Sequence, residues 1–301
     1  MVNSKSVVKA RPFLKWIGGK TQILRFIQER IPYREGDTFT YIEPFIGSGA
    51  VLFHIISNYP NLKNIVINDI NADLIQVYRG IADSVGDIIE TLKEWEWEYH
   101  KIAFNEEMKG EYYYEKRSLF NLKKSDVFIQ AALFIFLNKT CFNGLYRVNR
   151  KNKFNAAVGS YKKPMICDED NLRNISSALQ GVTILNGDFE ETFNYAEGKT
   201  FFYLDPPYKA ISKTANFNSY SKDQFNDNEQ LRLKKFCDKI SFSGHKWLLS
   251  NSDPKNNEPD NDFFDDLYRE YHISRVTASR RINVDPQKRG SISELLITNN
   301  G

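Results

Sequence analysis

The 301-residue chain is poor in the residues that most often announce chemistry. It has three cysteines and four histidines. Cys141, Cys167 and Cys237 are odd in number and far apart, which fits reduced thiols in a cytosolic protein better than a disulfide framework. The histidines show no metal-holding spacing, so no metal site is expected. Long apolar runs are missing as well. The longest, "AALFIFL" at 131–137, is seven residues, far short of a membrane span, and no apolar stretch of signal-peptide length opens the sequence. Charge of one sign is also scarce. The 41 basic and 38 acidic side chains leave a net charge of +3, too little to argue for nucleic acid alone.

Glycines are absent where two phosphate-binding motifs need them. "FLKWIGGKTQ" (13–22) ends like a Walker loop in Gly19-Lys20-Thr21, yet the opening glycine position carries Leu14 and the preceding segment is polar and basic. "EPFIGSGAVLF" (43–53) supplies Gly47 and Gly49 but has Leu52 where a dinucleotide fingerprint has its third glycine. Both gaps weigh against a pyrophosphate ligand.

What is present describes a globular protein with enough material for a core, 41% apolar and 26% charged. Six short apolar runs end abruptly in polar or acidic residues: "TYIEP" (40–44), "NIVIND" (64–69), "VTILNGD" (182–188), "TFFYLD" (200–205), "KWLLSNS" (246–252) and "ELLITN" (294–299). They predict buried strands of a mostly parallel sheet, with helices between several of them, one over 21–31 ending at Pro32. That alternation predicts a doubly wound, Rossmann-like α/β domain with ligands at the carboxyl ends of its strands. Residues 73–163 lack such runs and carry helical patterns, including "DVFIQAALFIFLN". They are expected to form a helical insertion, with 1–72 and 164–301 making the α/β core.

Three constellations carry chemistry. Gly47-x-Gly49, between a strand and a helix starting near Ala50, lets the backbone approach a ligand closely. Asp69 ends the next strand 22 residues later, a placement suited to ribose hydroxyls. Asp188, after "VTILNG", could serve an adenine amino group, although either acid alone also suits a helix cap. Together they favour an adenosine ligand without pyrophosphate, which S-adenosylmethionine satisfies. The third constellation, Asp205-Pro206-Pro207-Tyr208, follows a buried strand. Its prolines remove two backbone donors and hold the turn extended. The Asp205 carboxylate and the Pro206 carbonyl can accept the two hydrogens of an exocyclic amine, favouring a pyramidal nitrogen whose lone pair can attack a methyl group. Tyr208 can stack on a base turned out of a duplex. Residues 139–163 add seven lysines and arginines with no acid, interleaved with Phe142, Asn143, Tyr146, Asn149, Phe154, Asn155 and Tyr161. Such a run is either a solvated basic face or a surface for phosphates and base edges.

The ordered set of Glu43-Pro44-Phe45-x-Gly47-x-Gly49, a recognition segment and Asp205-Pro206-Pro207-Tyr208 resembles the α-group (D12 class) DNA adenine N6-methyltransferases, the Dam-type enzymes that modify GATC. The likeness runs from "FLKWIGGK" through "DINADLI", "FNGLYRVNRKNKFN" and "GSYKKP" to "SKTANFNSY" and "RGSISELLITN". It implies a methyl-donor pocket with Trp16, Lys20 and the ribose-binding Asp69. Glu43, Phe45, Gly47, Gly49, Asp188, Phe189 and Asp205 are assigned to the same pocket, and Asp205 to Tyr208 to catalysis. The resemblance implies that Lys15 contacts the first guanine, that Phe142 fills the space of the flipped base, that Asn143 touches backbone and base, and that Leu145 makes an apolar base contact. It implies that Arg147 reads a guanine through its fork, and it places Asn149 and Tyr161 in the recognition region. The chain departs from the family pattern at Ala157 and Ser160, where proline and arginine are usual. An aspartate opening the tetrad favours adenine over cytosine N4 or glutamine acceptors. The expected partners are S-adenosylmethionine and double-stranded DNA, with no metal and no obligatory protein partner, in a bacterial or phage-infected cell. A restriction–modification, phage or housekeeping role is left open.

Overall fold

The computed structural model describes residues 9–208, 225–279 and 291–300. Each of the six apolar runs is a strand: β1 (Thr40–Glu43), β2 (Asn64–Asn68), β3 (Thr183–Leu185), β4 (Thr200–Leu204), β5 (Lys246–Ser252) and, near the C-terminus, β7 (Ser291–Thr298). A seventh strand, β6 (His272–Ser279), was not among the runs named from sequence. Its residues "HISRVTAS" mix apolar and polar side chains, as suits a strand at the sheet margin. The sheet order is β3-β2-β1-β4-β5-β7-β6. β1 pairs in parallel with β2 and β4, and β4 with β5, whereas β7 runs antiparallel to β5 and β6. The sheet is therefore mostly parallel with an antiparallel margin, an α/β fold of Rossmann-like type. Every residue of β1 and β4 is buried. That explains why those strands read as continuous apolar runs without alternation.

The helices are α1 (Leu24–Gln28), α2 (Ala50–Asn58), α3 (Ala72–Lys101), α4 (Glu106–Leu122), α5 (Val127–Thr140), α6 (Glu169–Ala178), α7 (Asp227–Phe242) and α8 (Phe263–Leu267). The helix expected over 21–31 is shorter, because its first turn tightens to a 3-10 segment, Lys20–Gln22. α3 starts cleanly, since the Asn71 side chain caps the Leu74 amide at 3.2 Å. The chain divides into two compact units, one of Met1–Gly19, Gly47–Asn58 and Asp69–Asn186, the other of Lys20–Ile46, Tyr59–Asn68 and Gly187–Gly301. In the first unit, α3 and α5 pack along each other, with Gly80 admitting Ala131 so closely that a Cβ on the glycine would lie 2.9 Å from it. The second unit holds the core strands β1, β4 and β5.

Candidate active site

In the second unit the buried strand β4 delivers Asp205 one residue past its end. The Lys20 ammonium, with a side chain only 3% exposed, lies 2.7 Å from Asp205 Oδ1, whose own side chain is 20% exposed. Ser250 Oγ, on β5, donates to the same oxygen at 3.0 Å. Tyr203 OH lies 2.8 Å from Ser250 Oγ. Because the single Ser250 proton goes to an acceptor-only carboxylate, Tyr203 must be the donor in that pair. Lys20 also donates to Tyr208 OH at 2.7 Å, and Tyr208 OH donates to Glu294 Oε2 on β7 at 3.3 Å. The result is a directed chain from Tyr203 through Ser250 to Asp205, and from Lys20 to both Asp205 and Tyr208. It occupies Asp205 Oδ1 twice and orients the carboxylate around its other oxygen. Burial pushes the Asp205 carboxyl above its usual value, opposed by Lys20 and Ser250. Burial, with Asp205 and Glu294 nearby, also raises the Tyr208 phenol, which keeps its proton. Removing one member of a buried ion pair costs about 3–5 kcal/mol, so Lys20 and Asp205 depend on each other.

The same unit holds four further candidates. Phe45, Phe189 and Phe225 form an aromatic cluster, Phe45–Phe189 at 5.3 Å and Phe45–Phe225 at 5.8 Å between centroids. Asp188 caps the 3-10 turn that follows it through the Glu190 amide at 2.9 Å, and it is ion-paired with Arg232, whose guanidinium sits 4.3 Å from the Phe189 ring centroid. Glu43 is buried and accepts the Tyr41 hydroxyl at 2.7 Å.

The first unit holds the glycine turn and Asp69. Asp69 accepts from the Gly47 amide at 3.2 Å and the Asn71 amide at 2.9 Å. Burial still raises its carboxyl to about 6, against the pull of those amides. Gly47 (φ +47°) and Gly49 (φ +73°) adopt left-handed backbone. A Cβ on Gly47 would lie 3.2 Å from the Trp16 indole, and one on Gly49 2.7 Å from Tyr78 OH. Tyr78 OH in turn donates to the Gly47 carbonyl at 3.0 Å. The turn thus needs glycine for both its conformation and its neighbours. A carboxylate beside a close-approach turn at a helix N-terminus suits a hydroxyl-bearing nucleoside ligand.

Trp16 also ties this turn to the basic loop of the same unit. Its ring stacks on Tyr146 (5.8 Å) and Phe134 (6.4 Å), and Tyr146 OH donates to Asp73 at 2.8 Å. Neighbouring Lys15 is exposed, with its ammonium 3.8 Å from the centroid of the Tyr161 ring. The buried Asn138 amide binds the Lys15 N–H (2.8 Å), the Lys15 carbonyl (2.9 Å) and the Gly144 carbonyl (3.0 Å). Gly144, at φ +65°, passes so close that a Cβ would fall 2.4 Å from that of Lys15. Phe142 and Asn143 are exposed at the adjoining turn, and Leu145 is half-buried. The Arg147 guanidinium is exposed and braced by Asn155, Nε to Oδ1 at 2.8 Å and NH2 to the carbonyl at 3.1 Å. Asn149 Oδ1 accepts the Lys151 and Lys153 amides (2.9 and 3.1 Å), so its oxygen shapes the loop. Residues 212–220 and 289–290, which belong to the family likeness, lie outside the described residues.

The chain matches the D12 class N6 adenine-specific DNA methyltransferase family over residues 16–282. It belongs to that family. It is 46% identical to the Type II methyltransferase M.MjaIII of Methanocaldococcus jannaschii, over 97% of this chain and all of that one. It is 33% identical to a DNA adenine methylase of Haemophilus influenzae, over 97% of this chain and 94% of the relative. A Type II methyltransferase of Lactococcus lactis, M1.LlaDCHI, is 35% identical over 99% and 98% of the two chains. This D12 class chain is thus an adenine-specific DNA methyltransferase acting on DNA. Among its described residues no helix is long and apolar enough to cross a membrane.

Several side chains that hold the D12 candidates in place escaped the sequence reading. Ser250 and Glu294 reach Asp205 and Tyr208 from β5 and β7, and Asn138 braces Lys15; Asn155, named only as part of the basic run, braces Arg147. The available signal is a polar residue inside an apolar strand or on a buried helix, which is common to many proteins.

Proposed function

We propose that this chain transfers a methyl group from S-adenosylmethionine to N6 of adenine in duplex DNA, within GATC, by base flipping and direct transfer. The observation that carries the reading is the Asp205 carboxylate, with one oxygen held by Lys20 and Ser250. An acceptor so oriented suits an amine hydrogen better than a freely rotating one. The donor supplies an electrophilic sulfonium methyl. Asp69 would accept from its ribose hydroxyls, the Gly47–Gly49 turn would admit it closely, and Trp16 would offer an aromatic wall. The remaining work falls to the chain's own groups. Asp205 and the Pro206 carbonyl accept hydrogen bonds from the two N6 hydrogens, so the nitrogen lone pair is released from the ring. The N–C bond would form as the C–S bond breaks, the sulfonium leaving as a neutral thioether, and the methylated amine, cationic after transfer, would give its extra proton to water. Tyr208 stacks on the flipped adenine.

Residues 73–163 would form the target-recognition part, with Arg147 reading a guanine through O6 and N7. The two donors it gives to Asn155 fix the plane of its fork. Lys15, Phe142, Asn143, Leu145 and Tyr161 would contact the DNA beside it. This activity belongs in the cytoplasm of a bacterial or phage-infected cell. To test the reading, labelled S-adenosylmethionine is incubated with unmethylated DNA and either the native chain or Asp205→Ala. The variant is expected to transfer no label while binding DNA much as the native chain does. Near-normal turnover in Asp205→Ala would sink the mechanism.

A further inference from the structure

We infer that Glu294 on β7 is a positioning residue for methyl transfer, acting through the Tyr208 hydroxyl to fix the ring that faces the target base. The inference rests on the proposed role of Tyr208 and adds a residue to it. Tyr208 sits in irregular backbone, after two prolines that have no N–H to give to a sheet. The contacts of its hydroxyl therefore add to what the turn does in fixing the ring. Among the described residues the hydroxyl meets two groups: the Lys20 ammonium at 2.7 Å and Glu294 Oε2 at 3.3 Å. An ammonium only donates, so the hydroxyl accepts there and its single proton is left for a carboxylate. Asp205 Oδ1 already accepts from Lys20 and Ser250, which leaves Glu294 as the observed acceptor.

Glu294 is well placed to act as an anchor. It pairs with Ser252 on one side and Val276 on the other, and the next residues, Leu295 and Leu296, are fully buried. The carboxylate is thus carried by a strand bonded on both edges, whereas Tyr208 lies on a connection. A rigid support for an aromatic carried on a connection is what precise stacking requires, since a 1 Å misplacement can cost about a hundredfold in rate. Burial keeps the Tyr208 phenol protonated, so it remains a donor throughout the working range.

A double-mutant cycle on the full chain tests this, with Glu294→Ala, Tyr208→Phe and the combined variant. The readouts are the single-turnover methylation rate, the donor dissociation constant, and the fluorescence of 2-aminopurine in place of the target adenine. Glu294→Ala and Tyr208→Phe are each expected to slow transfer by about tenfold to a hundredfold, with donor affinity unchanged. The combined variant is expected to be no slower than Tyr208→Phe, and 2-aminopurine is expected to be brighter in all three than in the native chain. Glu294→Gln, whose amide oxygen still accepts, should recover most of the rate. Losses that multiply in the combined variant would overturn the inference, as would a native rate in Glu294→Ala. Should Glu294→Ala not fold, Glu294→Gln carries the test, and a deep loss of rate there overturns the inference too. Absence of adenine methylation by the native chain would refute the parent reading instead.

Discussion

Asp205, the proposed centre of the chemistry, has surroundings that leave it one direction in which to work. Lys20 and Ser250 both bond Oδ1, and Tyr203 stands behind Ser250. Ser250→Ala should free the carboxylate to rotate and slow transfer by about tenfold, the low end of what misplacing a reacting group costs. Single-turnover rates, with donor and DNA affinities measured alongside, would check this; an equal fall in affinity would mean general damage to the pocket. Asp69 predicts a different pH signature. Its carboxyl is raised to about 6 by burial. Above that value it would be ionised and accept the donor's hydroxyls through either oxygen; below it one oxygen would carry a proton and the group would be a weaker acceptor. Donor affinity should therefore fall as pH drops through about 6, and Asp69→Asn should flatten the profile. Asp205, also raised by burial, should set an acid limb in the transfer rate above the usual carboxylate range.

Elements explain why some of this was legible in the sequence and some was not. The D-P-P-Y tetrad and the Gly47–Gly49 turn are short contiguous motifs, and a strand that ends where an acid begins can be read directly. β1 and β4 read clearly because they are buried on every residue. β6 did not, because its polar and apolar residues intermix at the sheet margin. Ser250 and Glu294 were hidden for another reason. They come from β5 and β7, and only the parallel pairing of β4 with β5 and the antiparallel pairing of β5 with β7 bring those strands alongside Asp205. In the sequence they are polar letters inside apolar runs. Gly49 gives a test at this scale. At φ +73° and with a Cβ 2.7 Å from Tyr78 OH, Gly49→Ala should destabilise the fold by about 1–3 kcal/mol, read as a lower thermal midpoint. An unchanged midpoint would mean that the turn relaxes easily.

At the scale of the whole molecule, family membership establishes adenine-specific DNA methylation, and the structure adds the way each unit holds its own residues. One unit braces Asp205, Lys20 and Tyr208; the other braces Lys15, Trp16, Asp69 and Arg147. Arg147→Ala should relax discrimination at one guanine by about 1–3 kcal/mol. Asn155→Ala should produce a milder version of the same defect. Equal losses on cognate and mismatched duplexes would contradict that role. The most direct measurement of the central claim is a map of N6-methyladenine, by sequence context, in unmethylated DNA treated with the native chain and labelled S-adenosylmethionine. The account predicts methyl groups on the adenine of GATC and none in DNA treated with Asp205→Ala; DNA that is bound but unmethylated, or methylated without regard to GATC, would contradict it.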